Sequence, residues 1–313
     1  MVFIDMFKDY REGNGLLWRV EPICKVLNAE YGVSISKSGY YAFKSRKPSA
    51  RALRDMRIKR AIQKIHDENY SCYGVRKVWR RMLKNGWYVA RCTIERLMRE
   101  LGIRGISRGK VKKTTIAGEN ASCAEDLVDR VFWAPAPNKL WVADFTYVST
   151  WEGWCYTAFV TDVFARRLIG WGCSSRMNEK LVSGAFKMAV FSRSREGRDD
   201  LGGLIHHNDK GSQYTAYDFT ELLALYGVRV SIGSVGDSYD NALAETIIGA
   251  YKTELIWNKG PWKSLEHLKL ETARWVNWHN TKNICEYNNW NTPYEIEEMW
   301  YSDGIDARKG AVA

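Results

Sequence analysis

The sequence predicts an α/β fold in which a mixed five-stranded sheet carries helices on both faces, preceded by a small, basic, helical region. Three observations carry that prediction. Three strand-like apolar runs follow one another between Leu140 and Cys173, and helical and strand-like runs then alternate as far as Ile256. Before Ile116 the apolar spacing is instead helical and Arg and Lys are frequent. At 313 residues the chain is long enough for more than one structural unit. The expected division is a helical basic region over 1–116, a linker over 117–138, an α/β core over 139–300 and a flexible tail over 301–313.

In the first region, Pro22–Glu30 has helical apolar spacing, and the turn formers of Tyr31–Gly39 end it before a short Tyr40–Phe43 segment. A longer helix begins at Ser49 and reaches His66; its cations suit either a phosphate-facing or a solvated face. Val75–Lys84 and Arg91–Leu101 read as two further helices, with Gly86 ending the first. Val75, Val78, Met82 and Leu83 share one face of the first, and Ile94, Leu97, Met98 and Leu101 one face of the second, so the two can pack together. The pair is compatible with a helix-turn-helix near 75–101 whose second helix presents Arg91, Thr93, Arg96 and Arg99 to a DNA groove. A helical hairpin with a solvated basic face is the competing reading. Arg104, Arg108, Lys110, Lys112 and Lys113 follow with no acid before Glu119, a stretch able to track a phosphate backbone. Pro135 and Pro137 mark entry to the core.

The core opens with strand-like Leu140–Val148, Cys155–Val163 and Arg167–Cys173, joined by turns at Trp151–Trp154 and Phe164–Arg166, which suggests an antiparallel meander. Glu179–Arg193 then reads as a helix, Gly203–His207 as a buried strand, Ala216–Tyr226 as a helix, Val228–Ile232 as a strand and Asn241–Ile256 as a helix. A meander followed by this alternation describes a ribonuclease H-like core.

The net charge of +11 favours a polyanionic partner. No apolar run approaches the roughly 20 residues of a spanning helix, which speaks against a membrane, and the N-terminus lacks a basic-then-apolar leader, so a cytoplasmic protein is expected. Seven scattered cysteines without a Cys-x-x-Cys pair argue against a zinc site or a disulfide framework.

Chemistry concentrates in three carboxylates. Asp144 interrupts the apolar run Leu140–Val148, Asp209 follows the strand ending at His207, and Glu245 sits in the helix from Asn241. Isolated carboxylates from two strands and a helix suit hard divalent cations, Mg²⁺ or Mn²⁺, and two such ions about 3.5–4 Å apart serve phosphodiester displacement. Taken singly, each acid has a plainer reading: a hydrogen-bonded strand-end Asp, a turn Asp before Lys210-Gly211, and a surface Glu. Asp237 and Asp240 are better explained as turn or capping residues. His206 and His207 point to opposite faces, so one of them, His207, is a candidate DNA contact.

Trp141-Val-Ala-Asp-Phe-Thr-Tyr147, His206-His-Asn-Asp-Lys-Gly-Ser-Gln-Tyr214 and Gly236-Asp-Ser-Tyr-Asp-Asn-Ala-Leu-Ala-Glu245, with thirty-five residues between Asp209 and Glu245, resemble the motifs of the D,D(35)E transposases of the insertion-sequence-three family. These are relatives of retroviral integrases, and the resemblance, to the second reading-frame product, runs from about Val20 to Glu297. It implies that Asp144, Asp209 and Glu245 are catalytic and hold two Mg²⁺ or Mn²⁺ ions, and that Lys252 contacts DNA near the cleaved end. It implies in-line attack by water to release a 3′-hydroxyl, then strand transfer by that hydroxyl. It further implies a homo-oligomer on paired DNA ends and a possible fusion to an upstream reading-frame product. The chain departs from the pattern at Asn208, where Ser is usual, and at Asn283 and Cys285, where basic residues are usual, so impaired DNA handling is one expectation. A nuclease without strand transfer and a non-catalytic DNA-binding protein derived from such an element are the alternatives.

Overall fold

A computed structural model describes every residue except 14, 108–125, 210, 212, 215, 234–240, 305, 307 and 309–313. The chain forms two compact units, Met1–Ile58 and Lys59–Ala313, whereas the sequence suggested a division near 116. Most of the basic stretch around Lys110 lies outside the described residues.

The first unit holds α1 (Val2–Phe7), α2 (Val20–Tyr31), α3 (Lys37–Ser45) and the start of α4 (Ala50–Glu68). Ile4, Val20, Ile23, Cys24 and Tyr40 form its core, and the Tyr40 hydroxyl donates to Asp5 at 2.6 Å. Helix α3 starts earlier than its turn formers suggest because the Ser36 hydroxyl caps it, accepting from the Gly39 N–H at 3.0 Å.

The second unit continues through α5 (Val75–Lys84) and α6 (Arg91–Glu100) into the sheet. Strands β1 (Leu140–Thr150), β2 (Gly153–Asp162) and β3 (Arg167–Ser174) are antiparallel neighbours, and β4 (Ile205–Asn208) and β5 (Arg229–Ile232) add in parallel on the other side of β1, in the order β3-β2-β1-β4-β5. One sheet face packs on α7 (Glu179–Arg195) and α8 (Tyr217–Leu225) through Trp141, Ala143, Val160, Phe186 and Phe219. Helix α7 crosses β3 so closely that a Cβ at Gly170 would stand 2.1 Å from the Ala185 carbonyl oxygen.

The opposite face meets α9 (Ala242–Tyr251), which runs through a π-helical turn (Lys252–Ile256) into α10 (Trp257–Lys259), and then α11 (Leu265–Thr281) and α12 (Pro293–Asp303). Val142, Val163 and Phe164 pack with Leu243, Ala244 and Ile296 on that side, and Phe159 with Tyr251 and Trp275. The capping box of Thr292 and Glu295, with Pro293 in the first turn, starts α12. Residues 301–313, expected as a flexible tail, include Arg308, whose guanidinium donates to Phe164 O at 2.7 Å and Ala134 O at 3.0 Å.

Within the second unit, the segment that follows α4 and helix α5 are tied to the last helices by polar groups. The Trp278 indole N–H donates to Asn69, and Asn258 donates to the Tyr70 carbonyl. From α5, Lys77 donates to Asn283 at 2.8 Å, Arg81 to the Lys282 carbonyl, Arg76 to Glu286, and Lys84 to Asn291 and Glu295. Asn283 is buried and also accepts from the Tyr73 hydroxyl at 3.3 Å. An uncharged side chain is what that position accommodates, so Asn283 has an internal role in place of the expected basic contact.

Candidate active site

The sheet register assembles the site. Strands β1 and β4 are parallel, with Val142 opposite His207 and Ala143 opposite Asn208, so the next step along both brings Asp144 beside Asp209. Side chains alternate along a strand. Val142 packs toward α9, and Asp144, two residues on, shares its face; Asp209 likewise shares the face of His207. The other phase goes to the α7 and α8 side, where the His206 ring lies 5.6 Å from Phe186 and 5.5 Å from Phe219.

Helix α9 brings the third carboxylate. Buried Asn241, immediately before the helix, donates its side-chain amide to the Ala143 carbonyl at 3.0 Å, pinning the helix start against the residue that precedes Asp144. Glu245 follows one turn later and Lys252 two turns after that, at the start of the π-helical turn. The anchoring role of Asn241 was not read from the sequence; its place just ahead of an apolar helical run was the available signal.

The electrostatics show that these groups sense one another. Asp144 keeps partial solvent contact yet lies deep among protein atoms, and burial first, then the charge of Asp209 and that of Glu245, push its carboxyl well above the usual range. The Phe145 N–H, 2.7 Å from it, and the Lys252 ammonium pull the other way without prevailing. Burial raises Asp209 despite its bond from the Gly211 N–H at 3.1 Å, and burial followed by Asp209 raises Glu245. Lys252 is lowered by burial, against the attraction of Asp144. Among the described residues, three carboxylates set against one lysine make a set of oxygen donors with uncompensated negative charge, which fits hard divalent cations. As they stand, no three His, Cys, Asp or Glu side chains among the described residues are gathered tightly enough to enclose an ion.

His207, a candidate DNA contact, is instead fully buried, with Nδ1 2.8 Å from the Ser231 hydroxyl and its ring near Phe132. Lys210, Ser212, Asp237 and Asp240 lie outside the described residues. On α6, Arg91 is exposed and Thr93 half-buried, while Arg96 pairs with Glu100 at 2.6 Å and Arg99 with Glu95 at 3.6 Å.

The chain matches the family model of the integrase core domain over residues 134–238, a second integrase core domain model over 226–284, and an HTH-like domain over 53–111. It is 51% identical over 268 residues to a Mycobacterium tuberculosis protein named for transposition of insertion sequence element IS986/IS6110, covering 86% of this chain and 96% of that one. It is 44% identical over 293 residues to the transposase for insertion sequence element IS629 of Shigella sonnei, covering 90% and 96%. Among solved structures, the HTLV-2 integrase catalytic core in complex with magnesium aligns at 16% identity with a TM-score of 0.38, over 52% of this chain and 98% of that one. With identity at this level across nearly the whole length of both transposases, and an integrase core carried on the expected sheet, the chain belongs to the insertion-sequence-three family of transposases.

Proposed function

We propose that Asp144, Asp209 and Glu245 are the catalytic carboxylates of this DNA transposase and together hold two Mg²⁺ or Mn²⁺ ions. The observation that carries the proposal is the parallel register that sets Asp144 beside Asp209 on one sheet face, with α9 bearing Glu245 pinned over them by Asn241. When bound, such ions activate the attacking oxygen and stabilise the leaving oxygen of an in-line displacement. The chain's own contribution is positioning: two strands and a helix fix the carboxylates, and the Lys252 ammonium offsets phosphate charge beside them. Water then attacks the phosphorus at the element end and its bond to the 3′-oxygen breaks; the freed 3′-hydroxyl attacks a target phosphodiester in the same pocket and displaces that strand's 3′-oxygen.

Arg91, Thr93, Arg96 and Arg99 of α6 are the DNA-facing side chains in this reading, which the HTH-like match supports. Paired ends call for a homo-oligomer, an upstream reading-frame product fused to the chain would add end recognition, and the bacterial cytoplasm is the site of action. Labelled DNA from the regions flanking the gene, incubated with the protein and Mg²⁺ or Mn²⁺, tests the assignment. Nicking that releases a 3′-end, followed by joining, is expected from the wild type and lost in Asp209→Asn and Glu245→Gln. Undiminished cleavage by either variant removes that residue from the site.

A further inference from the structure

The tip of the β1–β2 hairpin carries three large aromatic side chains that the core does not use. Tyr147 is 57% exposed, Trp151 70% and Trp154 58%. Tyr147 and Trp154 are diagonal neighbours on one face of the hairpin, since Tyr147 pairs with Tyr156 and Ser149 with Trp154. Their rings meet edge to face at 5.3 Å and 82°, and both side chains stay more than half exposed.

The tip is also held in place. The Thr150 hydroxyl donates to the Gly153 carbonyl at 2.8 Å and accepts from the Glu152 N–H at 3.2 Å. The Trp151 N–H donates to the carbonyl of buried Trp262 at 3.0 Å, and the Glu152 carboxylate, the only acid between Tyr147 and Trp154, accepts from the Leu265 N–H at 3.4 Å. A hairpin tied down at this many points presents its aromatic rings as a fixed surface. Exposed apolar area on an ordered element marks a contact surface.

The chemistry of the occupant follows from what adjoins the rings. The Lys252 ammonium lies 4.7 Å from the centre of the Tyr147 ring and is the cation that acts on Asp144. Tyr147 stands three residues along β1 from Asp144, about 10 Å at the rise of a strand, and the odd spacing turns it to the other sheet face; Lys252, in reach of both, bridges them past the end of the β1–β4 pairing at Ala143. Open aromatic faces beside a cation are how proteins hold single-stranded nucleic acid, the base stacking on a ring while the cation takes a phosphate. A surface for an acidic protein partner would call for several cations around the rings, and the tip itself has none.

We propose that Tyr147, Trp151 and Trp154 form a stacking platform for unpaired bases at the DNA end whose phosphodiester reacts at Asp144. The proposal rests on the assignment of Asp144 to the active site. Holding frayed bases there keeps the end from re-pairing and fixes the strand relative to the carboxylates.

The test uses the full chain with Trp154→Ala, Trp151→Ala and Trp154→Phe, and two versions of the flanking DNA, one fully paired and one with a few unpaired terminal nucleotides. The ratio of frayed-end to paired-end affinity, read by fluorescence anisotropy, is expected to fall about tenfold in each alanine variant, in line with one lost stacking contact. Trp154→Phe should restore most of it. All three side chains are exposed, so unchanged melting temperatures are expected and confirm that folding is not the cause. Ratios equal to wild type in both alanine variants overturn the platform. So does a loss of concentration-dependent self-association in those variants with the ratio unchanged, which would make the tip a contact between copies. Metal-dependent cleavage by the wild type, run in parallel, keeps the two ideas separate: its absence sinks the active-site assignment, whereas intact cleavage with unchanged ratios sinks only the platform.

Discussion

Asp144 is an acid in a place where the strand on either side is largely buried, and its position has opposite consequences for folding and for chemistry. Its carboxyl lies well above the usual range, through burial and then Asp209 and Glu245. A folded value above the unfolded one means that the stability gained from the protonated form is complete below the unfolded value, about 3.9, and is lost as pH rises through the folded value. In metal-free protein at neutral pH, the charged form of Asp144 therefore destabilises the fold. Asp144→Asn is expected to raise the melting temperature of metal-free protein at pH 7, at about 2–4 °C per kcal/mol recovered, while abolishing DNA cleavage. Mn²⁺ should raise the melting temperature of the wild type and leave the variant largely unmoved. Scanning calorimetry of both proteins, with and without Mn²⁺, decides the matter, and a metal-free variant melting at or below the wild type would sink the reading. The acid was legible in the sequence because it interrupts an apolar strand. The tip aromatics were legible only as a turn, because nothing in the local sequence separates a ring that packs from one left open.

At the scale of elements, α7 and α12 are fastened by charges that local sequence reads as surface decoration. Arg193, near the end of α7, has no exposed area and donates to Asp162 at 2.8 Å and to Glu297 of α12 at 2.7 and 2.8 Å; Arg167 of β3 reaches Glu297 at 2.7 Å. Burial alone would raise the Glu297 carboxyl, but Arg193 and Arg167 outweigh it and hold the group below its usual range. For a depressed carboxylate the contribution to stability is present above the unfolded value, about 4.3, and is lost as pH falls through the folded one. Glu297→Gln leaves a buried arginine undercompensated and should cost about 3–5 kcal/mol at pH 7. The gap from wild type should narrow at pH 4 and below, as urea titrations at the two pH values would show; a gap independent of pH contradicts the role. An arginine in the last turn of a helix has the look of a dipole partner in solvent, and its acid lies 104 residues away, which is why the network could not be read ahead of the structure. The strands and helices of the core from Leu140 to Ile256 were legible for the converse reason, since their 2.0 and 3.6 periodicities are local. Helices α11 and α12 went unread although Thr292-Pro-Tyr-Glu295 spells a capping box.

For the molecule as a whole, a net charge of +11 does not translate into eleven free cations facing DNA. Helix α5, more basic than α6, directs Arg76, Lys77, Arg81 and Lys84 at the segment 282–295, so these side chains serve assembly of the second unit. On α6, Arg96 and Arg99 are each matched by an acid one turn away, and Arg91 makes no ion pair among the described residues. Exposed pairs of that kind are worth at most about 1 kcal/mol, so a phosphate can displace the acid. If α6 is the DNA-facing helix, three consequences separate the roles. Arg91→Ala should weaken binding to all duplex sequences and reduce the slope of log affinity against log salt by about 0.9, the value for one phosphate contact. Glu95→Gln, which releases Arg99 from its partner, should tighten binding and steepen the slope. Arg81→Ala should lower the melting temperature and leave the slope unchanged, because its partner is the Lys282 carbonyl and not DNA. Anisotropy titrations over a range of NaCl concentrations measure all three. A slope altered by Arg81→Ala and indifferent to Arg91→Ala would move the DNA-facing surface from α6 to α5 and would mean that the contacts with 282–295 open when DNA binds.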